Sequence, residues 1–141
     1  MVIYWDVDIL AEKSLKYPRR RGLEMGSKFN PRTIGSRWTP SLAIFSWTPV
    51  SDFFLDNYRQ LGISNLEAML IIHLVRHKWT VKMPFPGFKR LAKRMGMTPT
   101  GVRAHARNLQ RKGLLRRVKR PGKPSVFDLE PLFQKLEQLI P

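Results

Sequence analysis

The sequence predicts a mainly α fold with one small β hairpin, an α+β domain of three core helices, the hairpin and a C-terminal helix. Three observations carry this. Apolar residues recur at helical spacing in three separate stretches, Ser64–Lys78, Phe88–Met95 and Thr98–Lys112. Glycine stands after the last periodic residue of the second and third stretches, at Gly96 and Gly113. Two short strand-like runs, Leu115–Lys119 and Ser125–Leu129, follow at once, separated by Arg120-Pro121-Gly122-Lys123-Pro124.

The chain holds 141 residues, which favours one domain with a modest core. Met1–Pro40 has no sustained period and is rich in Arg, Lys, Gly, Ser and Pro, so residues 1–40 read as a basic, flexible arm ahead of a domain over 41–141. Arg19, Arg20 and Arg21 suit a phosphate backbone, and equally suit a tail with no fixed role. Ala43–Trp47 is apolar and aromatic and predicts an extended segment that docks on the core or on a second subunit. Phe53, Phe54, Leu55 and Tyr58 predict a short helix capped by Ser51 or Asp52.

Ser64-Asn65-Leu66-Glu67 fits a capping box, which opens the first core helix. Leu66, Leu70, His73, Leu74 and His77 mark its expected inner face, widened by Met69 and Ile72. Trp79–Phe85 reads as a connector with a short strand near Val81–Met83. Leu91 and Met95 share one face of the second helix, and Ala92 is small enough to let another helix cross closely. Met97 is expected as a buried plug in the turn. Thr98 and Pro99 then start the third helix, because a hydroxyl at the cap and proline at the first position cost no needed hydrogen bond. Val102, Ala106 and Leu109 form its stripe. The last helix, Pro131–Ile140, carries Leu132, Phe133, Leu136, Leu139 and Ile140. They pack back on the domain or pair with a second copy.

Charge points to function. The net charge is +16, and residues 81–141 hold fifteen Lys/Arg against three Asp/Glu, three quarters of the excess. Such a balance calls for a polyanionic partner. No Asp or Glu occurs between Val81 and Phe127, whereas a face built for solubility mixes its signs. Two helices joined by a tight turn are the arrangement that places the second helix in a DNA major groove. Arg103, Arg107 and Arg111 lie four apart on that helix, which at fifteen residues would run roughly 22 Å. Arg103 and Arg107 are candidates for reading bases, since arginine binds guanine through two parallel bonds; either serves equally as a phosphate clamp. Lys89, Arg90, Lys93 and Arg94 of the preceding helix are expected against the backbone. The hairpin reads as a wing, with Lys119, Arg120 and Lys123 at its tip, rather than as an edge guarded by lysines.

The stretch from Leu91 to Leu129, LAKRMGMTPTGVRAHARNLQRKGLLRRVKRPGKPSVFDL, resembles the winged helix-turn-helix core of bacterial and mobile-element DNA-binding proteins. WTPVSDFFLDNY and the helix after it resemble those of plasmid and phage replication proteins and DnaD-like primosome components. The winged-helix resemblance covers Ser64–Leu129. It implies base contacts from the first turns of the second helix, here Thr98, Thr100, Arg103, Ala104 and Arg107. Gly101 departs from the pattern, where a charged or polar residue is usual.

The partners expected are double-stranded DNA, replication proteins and a second copy of the chain, met through the C-terminal helix or residues 43–58. The role expected is in replication initiation or transcription regulation; the alternative is an RNA-binding or assembly module using the same basic platform. Residues 89–126 contain no Phe, Trp or Tyr on which single-stranded bases could stack, which favours a duplex. His73 and His77 have the spacing of some zinc sites, but no glutamate follows His73 and the chain has no cysteine, so no metal or other cofactor is expected. The ten acids form no catalytic pair and no phosphate-cradling loop appears, so an enzyme is not expected. His105 reads as a packing residue. No apolar run approaches the ~20 residues of a bilayer span, and MVIYWDVDIL lacks a basic leader, so the expectation is a cytoplasmic protein without membrane attachment.

Overall fold

Helix starts and stops follow the local chemistry closely. The computed structural model describes residues 37–78 and 86–141, in two units, Met1–Trp47 and Thr48–Pro141. The expected strand near Val81–Met83 and nearly all of the basic arm lie outside the described residues. In the first unit, Thr39 caps a four-residue helix, α1 (Pro40–Ala43), by accepting from Leu42 N–H at 3.2 Å. The chain then turns, and the Trp47 indole donates to Ala43 O at 3.4 Å, beside Trp38. The segment expected as extended therefore begins inside a helix. Leu42, Ile44 and Phe45 point to solvent.

The second unit opens with α2 (Asp52–Asn57), which buries Phe54. Ser51 occupies its cap position but makes no side-chain bond there. α3 (Asn65–Arg76) carries the full capping box: Glu67 N–H donates to Ser64 Oγ at 3.2 Å, and Ser64 N–H donates to Glu67 Oε2 at 2.9 Å. Its inner face is Glu67, Ala68, Leu70, Ile71 and Leu74. The expected face is corrected here, because Leu66 and Met69 are nearly half exposed. The winning stripe runs 67, 70, 71, 74, one helical step from the expected one.

α4 (Phe88–Met95) buries Leu91 and Ala92 and ends at Gly96, which is left-handed at φ 62°. Met97 is only half-buried, packed on the core rather than enclosed by it. α5 (Pro99–Arg111) starts at Thr98, whose Oγ1 accepts Gly101 N–H at 3.1 Å, and buries Val102, Ala106 and Leu109. Gly113, at φ 68°, lets Leu114 N–H return to Leu109 O at 2.9 Å and satisfies a helix-end carbonyl.

An antiparallel hairpin follows, β1 (Arg116–Arg120) and β2 (Lys123–Asp128), paired Arg116↔Asp128, Arg117↔Phe127 and Val118↔Val126. The five-residue basic loop expected at 120–124 is not a loop. Arg120 and Lys123 pair across a two-residue turn, Pro121-Gly122, with an irregularity between Val118 and Arg120. Last comes α6 (Glu130–Glu137), where Asp128 Oδ1 accepts Glu130 N–H at 3.0 Å. Leu132 is buried, while Ile140 lies past the helix end and is exposed. α3, α4 and α5 pack on one another around Leu70, Leu74, Leu91, Val102 and Leu109, with Phe127 and Leu132 closing the core. The architecture is mainly helical with a two-stranded antiparallel hairpin, as the sequence predicts.

Candidate nucleic-acid interface

The outer side of α5 is built by what its inner side must do. Val102, Ala106 and Leu109 are consumed by the core, so Thr100, Arg103, Ala104, Arg107 and Arg111 are left exposed. Arg111 is steadied by donation to Asn108 Oδ1 at 3.3 Å. Thr98 is exposed, but its oxygen already caps the helix. Gly101 packs against the turn: a Cβ there would sit 3.3 Å from both Met97 Cε and Thr98 Oγ1. The close approach that glycine permits is to its own turn.

On α4, Lys89, Arg90 and Lys93 are exposed. Arg94 is half-buried, and its Nη1 donates to His77 Nε2 at 2.7 Å. A guanidinium only donates, so His77 must accept at Nε2 and carry its proton on Nδ1. Burial, then Arg94 and Arg76, push the His73 and His77 rings below the ordinary histidine range. On the hairpin, Lys119 and Lys123 are exposed. Arg120 folds back, donating from Nε and Nη2 to Pro124 O at 2.9 and 2.7 Å, so it braces the turn.

Sequence reasoning missed Arg117 and Phe88. The Arg117 guanidinium carbon lies 4.9 Å from the Phe88 ring centroid and that of Arg103 lies 5.6 Å from it, so α4, α5 and β1 meet at one aromatic. No local signal could have joined three residues so far apart in sequence. Two ion pairs were also missed. Lys112 Nζ meets Glu67 Oε2 and Gly62 O, both at 2.7 Å, and fastens the end of α5 to α3. Arg116 pairs with Asp128 at the hairpin base, with Nε 3.0 Å from Oδ2.

Among the described residues no group of three or more His, Asp or Glu could hold a metal ion. No described helix is long and apolar enough to cross a membrane. An open apolar cavity of about 320 Å³ lies between residues 49–54, α3 and α6, lined by Val50, Phe53, Ile72, Val75, Phe133 and Ile140 among others.

Comparison with known proteins adds two findings. The family model of the DnaD N-terminal domain matches residues 50–140. The crystal structure of the N-terminal domain of DnaD protein from Geobacillus kaustophilus HTA426 is similar at 28% identity and a TM-score of 0.53, over 66% of this chain and 78% of that one. No curated protein matches the chain.

Proposed function

The chain belongs to the DnaD N-terminal domain family, and from that premise we propose that it binds double-stranded DNA in replication initiation, through a winged helix-turn-helix formed by α4, α5 and the hairpin. One observation carries the proposal: an exposed arginine edge on α5, backed by a buried Val102–Ala106–Leu109 stripe and placed in a stretch without a carboxylate from Val81 to Phe127. Arg107 enters the groove and reads a base. Arg103, which leans on Phe88, meets phosphate, as do Lys89, Arg90 and Lys93 of α4 and Lys119 and Lys123 of the hairpin.

A duplex is favoured over a single strand on stacking grounds. The aromatic beside the basic face is Phe88, and two guanidiniums already occupy its ring. Competition among duplex DNA, single-stranded DNA and duplex RNA of equal length tests this. Preference for duplex DNA, falling steeply with salt, is expected. Equal retention of all three would point to a general basic platform, the RNA-binding or assembly alternative.

The apolar cavity favours a second, compatible role in self-association. The chain exposes Trp38, Leu42, Ile44 and Phe45 on one unit and Ile140, which lines the cavity, on the other, surfaces that a second copy would cover. Sedimentation velocity should find a dimer or larger; a monomer at all concentrations would refute this part alone.

A further inference from the structure

Phe88 begins α4 with its ring edge-on to the buried Phe127, the centroids 5.7 Å apart and the planes at 74°. Phe127 is the hairpin partner of Arg117, which brings that guanidinium over the same ring. Arg103 reaches it from α5. Each guanidinium is attracted to the ring face, while the two like charges repel each other. Neither has a carboxylate: the ion pairs among the described residues are Lys112–Glu67 and Arg116–Asp128. The Arg117 Nε is buried and donates to nothing. Two fork-shaped cationic donors thus converge on one ring, and neither is in an ion pair with a described carboxylate.

We propose that Arg103 and Arg117 form a phosphate clamp, with Phe88 as the positioning residue that holds both forks. This deepens the DNA-binding proposal and rests on it for its natural ligand, a backbone phosphate. Guanidinium suits a phosphate because its fork meets two oxygens at once, and a ring that fixes the fork beforehand lowers the ordering cost of binding. The clamp makes strand β1, and not only the hairpin tip, part of the ligand surface. It also couples α5 to the hairpin: one strand of phosphates would be gripped from both.

The test uses the full chain and a fluorescein-labelled 20-base-pair duplex of random sequence, with Kd read by anisotropy from about 50 to 200 mM salt. Arg117→Ala removes a partly buried side chain that is not part of the hydrophobic core and whose Nε bonds to nothing, so the thermal midpoint should hold. Its Kd should rise several-fold, and the slope of log K against log salt should fall by about one phosphate. Phe88→Leu keeps both charges; it should weaken binding about threefold while leaving the slope unchanged. A folded Arg117→Ala variant with wild-type Kd and slope, beside an Arg107→Ala variant that is impaired, overturns the clamp and leaves the DNA reading standing. Wild-type protein that binds no duplex overturns the DNA reading instead. Inorganic tripolyphosphate then decides the clamp: a thermal shift in wild type that Arg117→Ala abolishes supports a free polyphosphate ligand, and no shift refutes the clamp as well.

Discussion

Glu67 is a buried carboxylate at the joint between α3 and α5, and removing its charge has a cost that can be worked out in advance. Its Oε2 accepts from Ser64 N–H at 2.9 Å and from Lys112 Nζ at 2.7 Å. Glu67→Gln keeps the shape and an oxygen for Ser64 but takes the anion from Lys112. A charge-assisted bond contributes about 1.5–3 kcal/mol. The Lys112 side chain is 36% exposed, so water screens part of that. A loss of about 1–2 kcal/mol is expected. Glu67→Ala also orphans Ser64 N–H and empties the buried site, which brings the expected loss to about 3 kcal/mol. Urea unfolding of the full chain, followed by far-ultraviolet circular dichroism, gives both values.

A cycle with Lys112→Met isolates the pair, and its coupling should equal most of the glutamine cost. The pH dependence is a second check. Burial alone would raise the Glu67 carboxyl; the bonds from Lys112 and Ser64 outweigh it and hold the group below the ordinary glutamate range. A carboxyl lowered on folding stabilises the protein above its unfolded value and loses that effect as pH falls through its folded value. The gap between wild type and Glu67→Gln should therefore close on acidification. Coupling near zero, or a gap that widens in acid, would show that Glu67 does not join the two helices through its charge.

Two further outcomes follow from the same geometry. Arg107→Ala should relax preference at one base pair by about 1–3 kcal/mol, whereas Lys123→Ala should weaken all duplexes alike and lower the salt slope by about one; anisotropy on a selected and a random duplex separates them. His73 and His77 are held below the ordinary histidine range, so the unfolded chain binds their protons more readily and the thermal midpoint should fall from pH 7.5 to pH 5.5, a fall that His77→Asn should reduce.

What could be read ahead of the structure was what short-range chemistry dictates. Thr98, Pro99 and Gly113 set the ends of α5 within a few residues, and the 102–106–109 stripe set its face. Hydrophobicity alone misphases α3, because it does not choose between two overlapping stripes. Leu66 and Met69 are apolar yet exposed, while Glu67 is charged yet buried, and the partner that makes its burial tolerable is the distant Lys112. Sequence composition makes the hairpin turn too wide, because Arg120-Pro121-Gly122-Lys123-Pro124 has loop composition throughout. Arg120 closes it by donating twice to Pro124 O, a bond no propensity encodes. The basic surface was legible as a helical edge but not as a convergence, since Phe88, Arg103 and Arg117 become neighbours only through the packing of α4, α5 and β1.

The two described ion pairs explain why the exposed charge is so one-sided. Glu67 neutralises Lys112 where α5 ends, and Asp128 neutralises Arg116 where the hairpin begins while also receiving Glu130 N–H at the start of α6. Both carboxylates thus serve joints of the scaffold, and each neutralises one surface cation. Arg103, Arg107 and Arg111 stand between those joints with no acid among the residues around them in sequence. A surface selected for solubility alone would distribute its acids among its bases. Here the acids sit at the edges of the basic element and hold it in shape, so its self-repulsion is tolerated within a fixed frame and stays available to be relieved by a ligand. On the proposed reading, stability and polyanion binding are then separable. Neutralising Glu67 should loosen the frame without changing the number of phosphates met, and neutralising Arg107 should change binding without loosening the frame.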